Sequence, residues 1–269
     1  MSNLRIEENV VVHTVAGRAL HVDIFHPANP PGPVPSLLFL PGGGWRTADR
    51  APLRERFGLR MAEHGYLFVA GEYRVMDEAP WPAQIQDVKA TIRWMRAQHE
   101  RLGIDPSAIV IGGKSAGGHL ALLAAGAQGI DAFEGTGDHP DVSSEVAAVI
   151  GVAPVADLTE RARRPGMEPL FGANPSDEVI RAASPISYAS HAYPPTLLIH
   201  GTADETVPHA MTLAMYEALE QAGAPVDLHL YAGQDHFFDR DPRCSEAVAH
   251  AMAFFMARYA SAQAVTISA

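Results

Sequence analysis

The sequence predicts an α/β fold in which one twisted, mostly parallel sheet carries helices on both faces. Three observations predict it. Short apolar strands alternate along the chain with segments of helical spacing, a length of 269 residues suits a single core, and no internal repeat or low-complexity tract divides the chain. We therefore treat residues 1–269 as a single domain.

The predicted strands are short and rich in branched residues, as is typical of a parallel sheet covered on both faces. Two alternating segments, 10–15 and 19–25, predict an antiparallel start, and the Pro/Gly-rich residues 27–33 predict a loop. Apolar strands are then predicted at 37–40, 66–70, 109–111, 147–152, 196–199 and 226–231. Helical spacing is found at 85–101, 116–127, 211–223 and 246–259.

Ser115 stands within the segment GKSAG at 113–117, after an apolar strand and before a helix-like segment. In this context the pattern predicts a nucleophile elbow, a sharp turn that lifts the serine hydroxyl clear of the backbone. The pattern also fits a glycine-rich turn that merely caps a helix. The choice between these interpretations depends on three further segments.

The first is PGGGW at 41–45, which follows the predicted strand 37–40. Its glycines leave backbone amides uncovered, and such amides can point at a developing oxyanion. The amide of Ala116, next to the serine, would complete this oxyanion hole. A flexible loop without a ligand is the alternative.

The other two segments supply an acid and a base. Asp204 follows the strand 196–199, and His236 lies in the loop after the strand 226–231. The resulting chain order of serine, acid and histidine is that of the α/β-hydrolase fold. The carboxyl ends of the strands are also where such a fold carries its catalytic loops.

Rival residues are present for both roles. Glu205 would need a shift of one residue along its loop, and Asp235, adjacent to His236, would usually direct its side chain away from it. His200, His209 and His229 are set aside because none of them lies in the loop after the last strand.

These motifs resemble those of the small carboxylesterases of the α/β-hydrolase superfamily, near the hormone-sensitive-lipase-like and feruloyl/acetyl-esterase branches. The resemblance covers most of the chain and includes 41–45, 113–121, 72–74 and 81–88. It implies that Gly43 and Gly44 supply oxyanion amides together with Ala116. Two positions depart from the family pattern. Pro41 replaces a histidine, and Lys114 precedes the nucleophile, either as a cation that favours negatively charged substrates or as a solvated lysine.

The resemblance implies a serine carboxylesterase that hydrolyses esters through an acyl-enzyme. The longest irregular region, 160–193, has only a modest helical patch at 176–183. We therefore expect a small or absent cap and a preference for small acyl groups. Two alternatives stay open: an arylformamidase-like amidase, and a non-catalytic ligand-binding protein on the same fold.

Composition excludes several other classes. A net charge of −11 and a pI near 5.6 argue against nucleic-acid and anionic-membrane partners. The single cysteine, Cys244, cannot form an intrachain disulfide, and no Cys/His cluster indicates zinc. We expect a small-molecule ester as partner, no metal or cofactor and, from the amino-terminal residues, a cytoplasmic location. The oligomeric state is left open.

Arg74, after a predicted strand, is expected to pair with Asp87, with a plain surface ion pair as the alternative.

Overall fold

A single eight-stranded sheet organises residues 4–260, which are the residues described by the structure, a computed structural model. Its strands are β1 (Ile6–Val15), β2 (Arg18–Phe25), β3 (Val34–Leu40), β4 (Leu67–Gly71), β5 (Ile104–Lys114), β6 (Ala148–Val152), β7 (Thr196–Gly201) and β8 (Val226–Tyr231). They lie in the order β1-β2-β4-β3-β5-β6-β7-β8. The β1–β2 and β2–β4 pairs are antiparallel and the remaining pairs are parallel. The predicted antiparallel start and mostly parallel sheet are confirmed.

Helices cover this sheet. They are α1 (Leu59–Glu63), α2 (Ala83–Ala97), α3 (His99–Leu102), α4 (Ala116–Gly126), α5 (Asp131–Glu134), α6 (Glu168–Phe171), α7 (Asp177–Ala183), α8 (Ala210–Gln221) and α9 (Pro242–Tyr259). A π-helical turn at Arg54–Gly58 leads into α1. Within residues 4–260 no helix is long and apolar enough to cross a membrane.

Two buried clusters, one on each face of the sheet, form the core. Successive side chains of a strand point to opposite faces, so Leu38 and Ile111 join the cluster that contains α4, whereas Leu37 and Val110 join the one that contains Phe255 of α9. All four strand residues are fully buried. Coverage on both faces explains why the central strands are apolar at nearly every position.

The structure shifts several predicted boundaries. β5 begins at Ile104 instead of 109. Its pairing with β3 is interrupted by a register shift at 105–108, and this irregular stretch shows no strand pattern in the sequence. The predicted helix 85–101 is two helices, separated at Gln98 and ended by Gly103 in the left-handed conformation, with φ of 68°. The π-helical turn and α1 were not predicted.

The region between β6 and β7 carries the short helices α6 and α7. The predicted patch at 176–183 is confirmed as α7, which is capped by the Ser176 side chain accepting a hydrogen bond from the Val179 amide. Neither helix exceeds seven residues. This agrees with the expected small or absent cap.

A buried ion pair ties the end of β4 to α2. The guanidinium of Arg74 donates to both carboxylate oxygens of Asp87, at 2.7 and 2.8 Å, and the Arg74 amide donates to the same carboxylate at 2.8 Å. Burial raises the pKa of Asp87, although the Arg74 charge acts against this rise. The side chains are only 13% and 1% exposed, so the surface-pair alternative is wrong.

We expect Asp87→Ala to lower the free energy of unfolding by about 3–5 kcal/mol, because it leaves the Arg74 guanidinium buried without its acceptor. Urea denaturation monitored by circular dichroism measures this loss. The exposed pair between Arg54 and Glu8 provides the matched control. Glu8→Ala is expected to cost less than about 1 kcal/mol, and equal losses in both variants would contradict a structural role for the buried pair.

Candidate active site

Ser115 occupies the turn between the end of β5 at Lys114 and the start of α4 at Ala116. Its backbone has φ of 53° and ψ of −118°, a conformation that non-glycine residues rarely adopt. Hydrogen bonds hold it there: the Ser115 amide donates to the carbonyl of Val152 in β6, and its carbonyl accepts from the His119 amide, both at 2.9 Å. The local geometry is that of a strained strand-to-helix turn.

The glycines on either side of this turn permit a close backbone approach. A Cβ atom at Gly117 would lie 2.3 Å from the carbonyl oxygen of Leu40 at the end of β3. A Cβ atom at Gly113 would lie 2.3 Å from the carbonyl oxygen of Gly117. Neither distance allows a side chain, so the sequence pattern around Ser115 follows from steric need.

The side chains of Ser115, His236 and Asp204 lie within hydrogen-bonding reach of one another. The Nε2 atom of His236 is 3.0 Å from Ser115 Oγ, and its Nδ1 atom is 2.5 Å from Asp204 Oδ2. An ionised carboxylate can only accept, so Nδ1 carries the proton and Nε2 presents its lone pair to the serine hydroxyl. The three residues come from the ends of β5 and β7 and the loop after β8.

Asp204 is held by a turn of its own loop. Its Oδ1 atom accepts hydrogen bonds from the amides of Thr206 and Val207, each at 2.8 Å. Burial alone would raise the pKa of Asp204, but the Val207 amide and the His236 ring hold this pKa below its ordinary value. The carboxylate is therefore ionised at neutral pH.

The rival acids do not take this position. The Asp235 carboxylate accepts a hydrogen bond from the Phe237 amide at 2.8 Å, and Glu205 is exposed. Among the described residues, the carboxylate that contacts His236 belongs to Asp204.

His200 lies against Asp204, a contact that its place in the sequence does not predict. Its Nε2 atom is 3.0 Å from both Asp204 Oδ2 and the carbonyl oxygen of Val207. Both partners accept, so Nε2 must donate, and Nδ1 then accepts from the Thr212 hydroxyl at 2.7 Å. The sequence shows only a histidine at the end of an apolar strand, four residues before the acid, and the structure adds that this histidine is fully buried.

The environment of His236 favours its neutral form. Burial lowers the pKa of His236, the hydrogen bond and charge of Asp204 raise it, and the charge of Lys114 lowers it again. The net shift is below the ordinary value. The ring can therefore accept a proton at neutral pH.

The glycine loop after β3 packs against the serine. A Cβ atom at Gly42 would lie 3.2 Å from Cβ of Ser115. Gly43 and Gly44 have φ of 145° and 61°, and the Gly43 carbonyl accepts the amides of residues 46 and 47. The amides of Gly43, Gly44 and Ala116 have no backbone acceptor within residues 4–260.

Position 41 is a histidine in the resembled family and a proline here. Two buried contacts hold the loop in this chain. The Tyr73 hydroxyl donates to the carbonyl of Pro41 at 3.0 Å. The indole of Trp45 donates to the Nδ1 atom of His119 at 3.3 Å. The loop is therefore fixed by groups outside the motif itself.

Lys114 is buried and is not a solvated lysine. Its ammonium is paired with the fully buried carboxylate of Asp239, which Arg56 also contacts at 2.8 Å. Burial lowers the pKa of Lys114, while Asp239 raises it. Asp239 thus neutralises the cation that the sequence suggested for substrate binding.

A cavity of about 350 Å³ opens beside Ser115 and His236. The glycine loop forms one wall, and Thr206, Phe237 and several arginines contribute to the others. Within residues 4–260 no group of three or more His, Cys, Asp or Glu side chains is arranged to hold a metal ion. The serine, the imidazole and the uncovered amides are the reactive groups that this cavity presents.

Several known proteins with similar sequences or structures are esterases by name. Esterase LipC of Mycobacterium tuberculosis is 33% identical over 241 residues, which are 84% of this chain and 59% of LipC. The chain spans 47% to 59% of the length of three Mycobacterium esterases and ester hydrolases to which it is similar, LipC among them. The fold aligns with a truncated carbohydrate esterase from gut microbiota at a TM-score of 0.82 and 27% identity, covering 94% of this chain and 95% of that one.

The esterase Est2 of Thermogutta terrifontis, solved with bound propionate, aligns at a TM-score of 0.80 and 28% identity and covers 94% of this chain and 96% of that one. These neighbours confirm the predicted α/β-hydrolase fold. The family model named BD-FAE matches residues 22–219, which is well over half of the sequence. The chain belongs to the BD-FAE family of α/β-hydrolase esterases.

Proposed function

We propose that this chain is a serine carboxylesterase that hydrolyses esters with small acyl groups, with Ser115, His236 and Asp204 as its catalytic triad. The observation that carries the proposal is the hydrogen-bonded line from Ser115 Oγ through the two nitrogens of His236 to Asp204 Oδ2, at 3.0 and 2.5 Å. The esterase names of the relatives support the same reaction class.

The reaction proceeds by two acyl transfers. His236 takes the proton from Ser115 as Oγ attacks the ester carbonyl, and Asp204 stabilises the imidazolium that forms. The protonated imidazole then donates to the leaving alcohol. A water molecule, activated by the same imidazole, hydrolyses the acyl-enzyme and releases the acid.

The oxyanion of each tetrahedral intermediate is bound by the amides of Gly43, Gly44 and Ala116. Two observations support this assignment: these amides have no backbone acceptor within residues 4–260, and the glycine loop packs against Cβ of Ser115. Fixed donors of this kind stabilise charge that develops in the transition state without reorganising.

His200 acts as a positioning residue through Asp204. Its Nε2–H bridges Asp204 Oδ2 and the Val207 carbonyl, so the carboxylate oxygen that accepts from His236 also accepts from His200. With the amides of Thr206 and Val207, this contact leaves the carboxylate little freedom to rotate.

A small acyl group is supported by the absence of a long helix between β6 and β7 and by the Thermogutta esterase, which has been solved with propionate and with butyrate. The amidase alternative receives no support from the relatives described above, which are named as esterases. The non-catalytic alternative is disfavoured by the complete hydrogen-bonded line to Ser115. A cytoplasmic location stays a prediction from the sequence.

Ser115→Ala is expected to lower kcat for 4-nitrophenyl acetate by about 10⁴-fold or more, because the attacking hydroxyl is lost. Ser107→Ala, at an exposed position of the same strand, is the matched control and should retain wild-type turnover. A fluorophosphonate loses fluoride as it phosphonylates the serine, so the mass of its phosphonyl group should be added to the wild type and to Ser107→Ala but not to Ser115→Ala. Retained turnover in folded Ser115→Ala would refute the assignment.

A series of 4-nitrophenyl esters from acetate to laurate tests the acyl preference. We expect kcat/KM to be greatest at two to four carbons, because no long helix encloses an extended acyl chain. A maximum at twelve carbons would show that the acyl site is long and apolar, contrary to this proposal.

The pH dependence tests the role of His236. We expect kcat/KM for 4-nitrophenyl acetate to rise with pH through an apparent pKa below 6.5, because the neutral imidazole is the active base and burial lowers its pKa. Activity should be lost as the pH falls through this value and should be constant around pH 7. An apparent pKa well above 7 in the wild type would be incompatible with a buried neutral base.

A further inference from the structure

The cavity beside Ser115 has a mainly cationic lining in a chain whose net charge is −11. The lining includes Arg56, Lys114, Arg161 and Arg240, and its acidic residue is Asp49. A cleft lined by one sign of charge concentrates ligands of the opposite sign. The cavity lining is therefore mainly positive, although the protein as a whole carries a net negative charge.

The four cations are not equivalent. Lys114 and Arg56 share the buried carboxylate of Asp239, so one of their two positive charges is compensated inside the protein and both groups already have an acceptor. The guanidinium of Arg240 lies 4.1 Å from the ring centroid of Phe237, and both side chains are exposed at the rim. Neither arrangement leaves a buried donor that needs an acceptor.

Arg161 differs from these three. It follows β6 in a short 3₁₀ turn at Arg161–Arg163 and is partly buried. Its Nη2 atom donates to the carbonyl of Thr206 at 2.7 Å, which is the one hydrogen bond that its guanidinium makes within residues 4–260. Its Nε atom is enclosed and has no acceptor among those residues.

No carboxylate within residues 4–260 forms an ion pair with Arg161, although Asp204 is near enough to affect its pKa. That carboxylate is already engaged by His236, His200 and two backbone amides. The N–H groups of Arg161 Nη1 and the second N–H of Nη2 have no acceptor within residues 4–260, so they are free to donate to a bound anion. Because Arg161 lines the cavity of the nucleophile, that anion can come from a bound ligand.

We propose, on the basis of the esterase function above, that Arg161 binds a carboxylate carried by the substrate and that the enzyme selects negatively charged esters. The planar guanidinium suits a carboxylate because it can donate two parallel N–H groups to it. The cationic rim at Arg240 assists capture of the same anion. Selectivity for charge is thus located in the loop after β6 and not at Lys114.

The experiment compares esters that differ only in charge. In one pair, the carboxylate or the neutral amide lies on the alcohol side of the ester: 3-acetoxybenzoate and 3-acetoxybenzamide. In the other pair it lies on the acyl side: the mono-4-nitrophenyl ester of adipic acid and the corresponding half-amide. Values of kcat/KM are divided by the alkaline hydrolysis rate of each ester. We expect the wild type to favour the carboxylate by about tenfold in at least one pair.

Arg161→Gln should bring that ratio close to one. Arg163→Gln, which removes the same charge from the same turn but from a side chain that pairs with Asp177 away from the cavity, should keep the wild-type ratio. Arg161→Lys retains the charge without the planar fork and should keep part of the preference. It also serves as the test if Arg161→Gln does not fold, as judged by its thermal melting.

The outcomes separate this inference from the esterase proposal. Hydrolysis of both neutral esters with no preference for either carboxylate, or a preference that survives in folded Arg161→Gln, would overturn the role of Arg161 and leave the esterase function standing. An equal fall of the ratio in Arg163→Gln would also overturn it, since the effect would then be one of net charge. Failure to hydrolyse any of the four esters would overturn both proposals.

Discussion

The carboxylate of Asp204 is the group on which the geometry of the site depends. It accepts hydrogen bonds from the two imidazoles of His236 and His200 and from the amides of Thr206 and Val207. These four donors keep it ionised and prevent its rotation, and it in turn dictates which nitrogen of His236 carries a proton. Without that constraint, the ring could adopt either tautomer, and only one of them offers a lone pair to Ser115.

A second constraint is the spacing of backbones at the carboxyl ends of β3 and β5. The turn at Ser115 is strained, and the strain is maintained because Gly113 and Gly117 let the backbone of the turn pack closely on itself and on the end of β3. The same approach brings the glycine loop to the serine. One packing requirement therefore determines the position of Ser115 and the location of the uncovered amides together.

The sequence predicted which side chains would come together where the pattern is local or follows chain order. The elbow around Ser115 and the order of the α/β-hydrolase fold indicated which serine, acid and histidine to examine. Lys114 could not be interpreted in the same way, because its partner Asp239 is 125 residues away. The contact of His200 with Asp204 was not predicted, because a histidine at the end of an apolar strand shows no pattern that distinguishes a buried hydrogen-bond donor from a residue that only packs in the core. The role proposed for Arg161 depends on which acceptors are missing around it, and a linear pattern contains no information about missing neighbours.

The cationic lining of the cavity also affects the release of the acid product. Every carboxylic ester, charged or neutral, yields a carboxylic acid that ionises at neutral pH, so the acid product acquires a negative charge while it is still inside the cavity. Arg161 and Arg240 would then retard its departure into solvent. If anions bind there as proposed, this arrangement would link turnover to product escape and would make the proposed esterase sensitive to inhibition by organic acids.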